Sequence, residues 1–494
     1  MIEEKGSYRQ IMKATSLYGG VQIFNILIQV LRSKIIAVLL GPTGMGIAGL
    51  LNSSIVLISG LTSFGLGTSA VKNIAEANES SNGTKIIIVS SVLKKLVWVT
   101  GIIGLILSIV FSKWLSKITF GNYDYKFAYI LISIVILFNQ LSKGQLAILQ
   151  GLRKLKYLAK ANTLGSLIGL IITIPIYYKW GINGIVPSII VSSFVSLFLS
   201  WHFSNKVKLK KQSISFYKTY IEGKGMLSMG FMISVSGLIT TGSAYLIRIF
   251  ISSKGGIEDV GLFTAGFSII NNYVGLVFTA MIADYYPRLS SVSYSNELCK
   301  QTINQQAEIA ILILAPIVII FFIFAKPIII ILYSQKFIPI ENMINWAALG
   351  MLFKAASWSV SILLLAKGVP KLLLANELLS NAYMLTLNIL GYKYFGLTGL
   401  GISFLIGYLI YLIQVFFLNK YKFEFMFNKT FIIIFILQLS TTISSFIVYQ
   451  CLEGVIKYIL CFLLLSISVY YSISELNKRL NLLDLIKKFK NKIY

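Results

Sequence analysis

Five cations stand inside long apolar stretches of this chain: Arg32, Lys34, Lys143, Arg248 and Lys354. The carboxylates nearest such stretches, Asp124, Asp284, Glu308 and Glu377, fall toward stretch ends or in loops. A lone Arg or Lys at the centre of a bilayer span costs about 2.5 to 3.5 kcal/mol on insertion scales. One way to offset that cost is to face a watery cavity and hold something anionic. Arg forks match phosphate oxygens bidentately, and Lys adds a point charge. The other way is to snorkel toward an interface, which is open to Arg248 and Lys143 near their stretch ends. Lys354 is mid-stretch, and Arg32 and Lys34 lie about two-thirds of the way outward. Asn25, Gln29, Asn139 and Gln140 are polar neighbours on the same elements. They could line a chamber or bond between helices.

The elements that carry these residues are membrane spans. The 494-residue chain is 56% hydrophobic and 12% charged, with a mean hydropathy of +0.80. A soluble domain is about a quarter charged, so the chain reads as an all-α polytopic membrane protein. A net charge of +27 would suit nucleic acid in a soluble protein. Here it orients spans and meets anionic lipid, and no nucleic-acid partner is expected. Three scattered cysteines, Cys299, Cys451 and Cys461, and one histidine, His202, make neither a disulfide framework nor a metal site. No metal or cofactor is expected. The apolar segment after Gln10 is too long for a signal h-region, so no cleaved peptide is expected.

At about 20 residues per span, fourteen spans fit: 16–40, 45–70, 96–112, 127–149, 161–178, 182–203, 226–251, 261–283, 308–325, 343–366, 372–392, 396–419, 430–449 and 454–474. The first two form a hairpin closed by a turn at Gly41 to Gly46. With the N-terminus inside, thirty Lys and Arg fall on inner segments and nine on outer ones. That bias predicts both termini in the cytoplasm.

A repeat runs through the spans. Gly46 and Gly60 match Gly261 and Gly275 at an offset of 215, and Gly181, Gly184 and Ser188 match Gly396, Gly399 and Ser403 at the same offset. Arg32 and Arg248 differ by 216. The chain is therefore expected to hold two six-helix lobes, 1–215 and 216–420, two further spans over 421–474, and a basic tail over 475–494. The tail has apolar residues at helical spacing and reads as an amphipathic helix on the inner leaflet. Parallel repeats of this kind are a transporter feature, with the substrate site between the halves.

No Walker loop, Gly-x-Ser-x-Gly elbow or acidic metal motif is present, so an enzyme is not expected. Lys34 to Gly46, Tyr285-Tyr286-Pro287-Arg288-Leu289-Ser290, Ala325-Lys326-Pro327 with Tyr333 and Phe337, and Leu365-Ala366-Lys367-Gly368 together define a pattern. In order and spacing it resembles Wzx-type O-antigen flippases of the multidrug/oligosaccharidyl-lipid/polysaccharide exporter superfamily. The resemblance covers residues 10 to 420; many such flippases have twelve spans, so the last two depart from the pattern. It implies a V-shaped pair of lobes in a bacterial inner membrane. It also implies alternating-access transfer of undecaprenyl-pyrophosphate-linked oligosaccharide, with a polysaccharide polymerase and a chain-length regulator as candidate partners. Lys34 matches a family lysine, and Arg32 and Arg248 follow by repeat position. Two rivals stand beside this reading. An ion-coupled exporter of the same superfamily would need a mid-span carboxylate, and none is found, so Glu308→Gln and Glu377→Gln are expected to leave function largely intact. A membrane polysaccharide polymerase would call for a large loop or an acidic cluster, and neither is found.

Overall fold

The computed structural model describes residues 2–80, 83–207, 209 and 214–480. Fifteen α-helices and short turns make up the described chain, with no strands among the described residues. They are α1 (Ile2–Thr62), α2 (Leu66–Glu79), α3 (Gly83–Val110), α4 (Ser112–Phe120), α5 (Lys126–Gly151), α6 (Leu155–Trp180), α7 (Ile185–Asn205) and α8 (Phe216–Ser268). A π-helical turn (Ile269–Val274) follows, then α9 (Leu276–Ser291), α10 (Asn296–Ile323), α11 (Ala325–Leu332), α12 (Glu341–Ala366), α13 (Pro370–Phe423), α14 (Lys429–Cys451) and α15 (Gly454–Leu480).

Ten helical stretches among the described residues are long and apolar enough to cross a bilayer. Four of them run 39 to 54 residues, room for two passes each. Each of the four is broken once by a glycine. In α1 the break is Gly41 (φ 67°, ψ −168°), and in α8 it is Gly256 (φ 85°, ψ 178°). Gly181 (φ 53°, ψ −131°) separates α6 from α7, and Gly396 (φ 58°, ψ −141°) divides α13. Glycine takes positive φ without a Cβ clash, so one residue suffices to redirect the chain. Ten stretches, four of them double, give the expected fourteen passes.

The first turn is tighter than the sequence suggested. The expected loop from Gly41 to Gly46 is a break at one residue, and helix resumes at Pro42. Proline loses nothing at a first helical position, because that N–H has no intrahelical partner.

The breaks repeat in the chain. Gly41 and Gly256, and Gly181 and Gly396, both stand 215 residues apart. So do Arg153 (φ 53°) and Gly368 (φ 66°), each in the turn ahead of a long helix. Close contacts recur with them. A Cβ on Gly184 would lie 2.8 Å from the Ile176 carbonyl oxygen, and one on Gly399 would overlap the equivalent oxygen of Gly391. The periodicity read from glycine identities is therefore a periodicity of backbone geometry.

Internal packing divides the chain into two compact units: Met1–Gly261 with Leu332–Ser334, and Leu262–Ile331 with Gln335–Tyr494. In the first unit α2, α3 and α5 pack around a core that includes Leu66, Ile74, Leu93 and Ile148, and α7 packs on α5. In the second unit α12 packs along α13, while α10 packs against α14 and α15. Small residues permit the close approach: a Cβ on Gly350 would meet the Leu405 Cα at 2.9 Å.

Helices α14 and α15 are fastened to the second unit at both ends. At one end the buried Glu308 of α10 accepts from Arg479 Nε at 2.8 Å and from Asn428 Nδ2 at 3.1 Å. Asn304 Oδ1 accepts from the Asn428 backbone N–H at 2.9 Å, and Asn428 Oδ1 caps α14 by accepting from Phe431 N at 2.6 Å. At the other end the Tyr449 hydroxyl donates to Glu341 at 2.5 Å, Lys326 lies 3.7 Å from the same carboxylate, and Lys457 sits 3.8 Å over the Tyr449 ring. Between these ends Gln438 Nε2 donates to Ser472 Oγ at 2.8 Å, and Ser468 Oγ donates back to Gln438 Oε1 at 2.7 Å.

Glu308 is thus a buried carboxylate compensated by an arginine on the last helix. Of the expected basic tail, residues 475 to 480 continue α15, and 481–494 lie outside the described residues.

Candidate substrate site

Lys354 sits half-buried in the middle of α12. Its Nζ donates to Asn271 Oδ1 at 2.9 Å. It also lies 5.8 Å from the centroid of the Phe278 ring, 5.6 Å from Phe404 and 5.3 Å from Tyr408. Ring faces attract a cation, by about 0.5 to 1 kcal/mol each at exposed sites and more when desolvated. Asn271 lies in the π-helical turn between α8 and α9. Such turns widen the helix by one residue and displace a side chain from its regular position. The ammonium is thus held by a neutral amide and three rings.

Arg32 lies in the first unit, on the arm of α1 before the Gly41 break. Its guanidinium rests against α6, where a Cβ on Gly169 would come within 3.3 Å of Nη2. Its Nε is buried without a hydrogen-bond partner among the described residues. Asn25, Gln29 and Arg32 follow each other at helical spacing on one face of α1. Asn25 Oδ1 is likewise buried without a hydrogen-bond partner, while Gln29 is exposed.

Lys34, two residues on, points about 200° around the helix from Arg32. Its Nζ donates to the Tyr333 carbonyl at 2.6 Å, just past the carboxyl end of α11. A cation is favoured there by the helix dipole. The structure therefore gives Arg32 and Lys34 different neighbours.

Arg248 is half-buried, and its Nη1 returns to the Ala244 carbonyl one turn back at 2.7 Å. Lys143 is exposed on α5 and makes no hydrogen bond or ion pair among the described residues. Gln140 bonds between helices, donating to Thr100 Oγ1 of α3 at 2.9 Å. Asn139 beside it is half-buried. Counted by the repeat, Asn139 is the counterpart of Lys354, at an offset of 215.

Ion pairs among the described residues form elsewhere. Lys72 meets Glu76, Arg153 meets Glu79, Arg288 meets Asp284, Lys300 meets Glu297, and Lys478 and Arg479 meet Glu475. None of them reaches Arg32, Lys143 or Lys354. Carboxylates balance cations at helix ends and loops, whereas these three span residues have no acidic partner among the described residues. Asn271, Phe278, Phe404 and Tyr408 are additions that sequence reasoning passed over. The adjacent asparagines Asn271-Asn272 inside an apolar run were the available signal.

A family profile described as polysaccharide biosynthesis protein matches residues 11–293, more than half of the chain. The chain belongs to this family. Within the curated proteins, this polysaccharide biosynthesis protein is 21% identical over 351 residues to the lipid III flippase of Escherichia coli (strain K12), covering 68% of this chain and 80% of that one. Among solved structures it matches an inward-facing multidrug resistance MATE family transporter of the MOP superfamily, with TM-score 0.70 and 16% identity over 81% of this chain and 94% of that one. It also matches the lipid II flippase MurJ in an inward closed conformation, with TM-score 0.68 and 14% identity over 95% of this chain and 99% of that one. These likenesses show that the chain shares the fold of those two proteins.

Proposed function

We propose that the chain is a flippase that carries an undecaprenyl-pyrophosphate-linked oligosaccharide from the cytoplasmic to the periplasmic leaflet. The observation that carries this reading is the set of span cations without acidic partners among the described residues: Arg32, Lys143 and Lys354. A pyrophosphate cannot cross hydrocarbon unaided, and cations held within the spans offset its desolvation. Arg32 supplies a fork for phosphate oxygens, and Lys354 a point charge that can exchange its neutral Asn271 partner for an anion. The sugar needs no dedicated acid. The glycan would travel with the pyrophosphate, and the lipid tail would stay among apolar helix faces.

The family match and the lipid III flippase relative support the lipid-linked class of substrate. The repeat supports two six-helix lobes, 1–215 and 216–420, as the moving parts, and the lysine bias supports cytoplasmic termini. The deciding experiment places the protein in vesicles containing undecaprenyl-pyrophosphate-linked sugar and measures how much sugar an external reagent can modify. Protein-dependent transfer, lost in Arg32→Ala/Lys354→Ala, is expected. Transfer at the wild-type rate in that variant would overturn the charge-based reading.

The MATE-like fold gives a second reading, an ion-coupled small-molecule exporter. Its carboxylate would have to be one other than Glu308, which Arg479 already occupies. Efflux of cationic dyes with no lipid transfer would favour it.

A further inference from the structure

A cleft between α3, α5 and α7 lies wholly within the first unit, apart from the span cations described above. It encloses about 390 Å³. Lys94, Gln145 and Asn205 bring polar groups to it, and Trp98, Phe198 and Trp201 bring aromatic rings. Trp201 and Asn205 lie in the last turns of α7 and Gln145 lies toward the end of α5, while Lys94 and Trp98 lie midway along α3 where its apolar run begins, on the side that the lysine bias assigns to the cytoplasm.

Three observations say what fits there. First, the polar end is basic. Among the described residues no acidic residue lines the cleft and Lys94 does; the next residues in sequence to Lys94 and Asn205 are also lysines, Lys95 donating to the Ile214 carbonyl and Lys206 lying 5.2 Å over the Phe203 ring. Second, Gln145 Oε1 is buried without a hydrogen-bond partner among the described residues, so the cleft holds an unsatisfied polar atom. A buried acceptor without a donor costs about 1 to 3 kcal/mol, which a hydroxyl on a ligand would recover. Third, Trp98 and Trp201 are each half exposed, at 51% and 49%. Half-exposed indoles at span ends mark the headgroup level of a bilayer, with an apolar body and a wet N–H.

We propose that this cleft binds the head group of an anionic phospholipid that also carries a hydroxyl, the chemistry of phosphatidylglycerol. Lys94 meets the phosphodiester, Gln145 accepts from the head-group hydroxyl, and the indoles and Phe198 cover the first part of an acyl chain. The volume is at the low end for small-molecule sites; it admits one head group and falls short of an oligosaccharide. The site is thus separate from the substrate path, and it stands whether or not the chain is a flippase.

The test uses the full chain in phosphatidylcholine vesicles doped with either phosphatidylglycerol or phosphatidylcholine brominated on the acyl chains. Bromine quenches nearby indoles, and a Trp98→Phe/Trp201→Phe protein isolates the signal of these two. Phosphatidylglycerol is expected to quench them at about fivefold lower mole fraction than phosphatidylcholine, the fold-change of one lysine near an anionic lipid surface. Lys94→Ala and Gln145→Leu should each reduce that preference, and Lys94→Arg should keep it. Equal quenching by the two lipids in the unaltered protein would overturn the proposal, as would a preference unchanged in both Lys94→Ala and Gln145→Leu. Millimolar inorganic phosphate should leave the quenching unchanged. Relief of quenching by free phosphate would assign the cleft to a soluble anion instead.

Discussion

Gly46 and Gly261 make one contact twice. A Cβ on Gly46 would overlap the carbonyl of Ile257, and a Cβ on Gly261 would overlap the carbonyl of Pro42. The four residues are related by the 215-residue offset, so the two glycine-broken hairpin tips pack backbone to backbone with near-twofold reciprocity. A normal carbon–oxygen contact needs about 3.3 Å or more, so any side chain at either position must part the tips. Gly46→Ala and Gly261→Ala should each lower the unfolding midpoint in detergent, by about 1 to 3 kcal/mol equivalents as for overpacked cores. Each should also slow lipid transfer. Because one separation relieves both clashes, the double variant should be little worse than the poorer single. Additive losses would show that the two contacts are independent.

Lys354 should be sensitive to charge and to shape in different ways. Lys354→Ala removes the ammonium, and Lys354→Met keeps the stem among Phe278, Phe404 and Tyr408. Both should reduce transfer at least tenfold, about 1.4 kcal/mol of transition-state binding. The Met protein should keep the unaltered protein's melting temperature. Full transfer by Lys354→Met in the vesicle assay would leave the charge without a role.

Gly169 gives a test of Arg32 that leaves the guanidinium in place. A Cβ there would press on Nη2 from 3.3 Å. Gly169→Leu should push the arginine off α6 and impair transfer severalfold, while Gly169→Ala should be mild because the end of a long side chain can shift. Equal transfer by the Leu and unaltered proteins would mean that Arg32 does not need its seat.

Glu308→Gln should behave as a stability defect. The Arg479 guanidinium would lose its 2.8 Å partner in a half-buried position. Removing one member of a buried pair costs about 3 to 5 kcal/mol, and here Glu475 still holds Arg479 at 2.6 Å, so about half of that is expected. Thermal unfolding should show the loss, and Glu308→Gln/Arg479→Gln should recover part of it. A Glu308→Gln protein with unchanged stability but no transport would instead assign that carboxylate to ion coupling.

Much of this architecture was legible from sequence because hydrocarbon is a severe solvent. Apolar length located the spans, and glycine spacing located the repeat. The structure adds that Gly41 and Gly256, which are not among the matched glycines, bend the chain as Gly181 and Gly396 do. Their role lies in backbone φ, which identity alone does not disclose. The span cations were legible for the same solvent reason. Their neighbours were not, because Phe278, Phe404 and Tyr408 read as ordinary apolar residues until three helices bring them around one ammonium. The compensation of Glu308 by Arg479 was hidden by a separation of 171 residues.

The fastening of α14 and α15 constrains how this chain can change over generations. Glu308 and Glu341 draw partners from the last two helices, Arg479 and Tyr449. Losing those helices would strand one carboxylate buried and alone and leave the other short of a donor. A lineage could shed them only after replacing Glu308 with a neutral residue, and that replacement costs stability while the helices remain. An addition of this kind works as a ratchet: once that acid is in place, selection keeps the two helices whether or not they handle substrate.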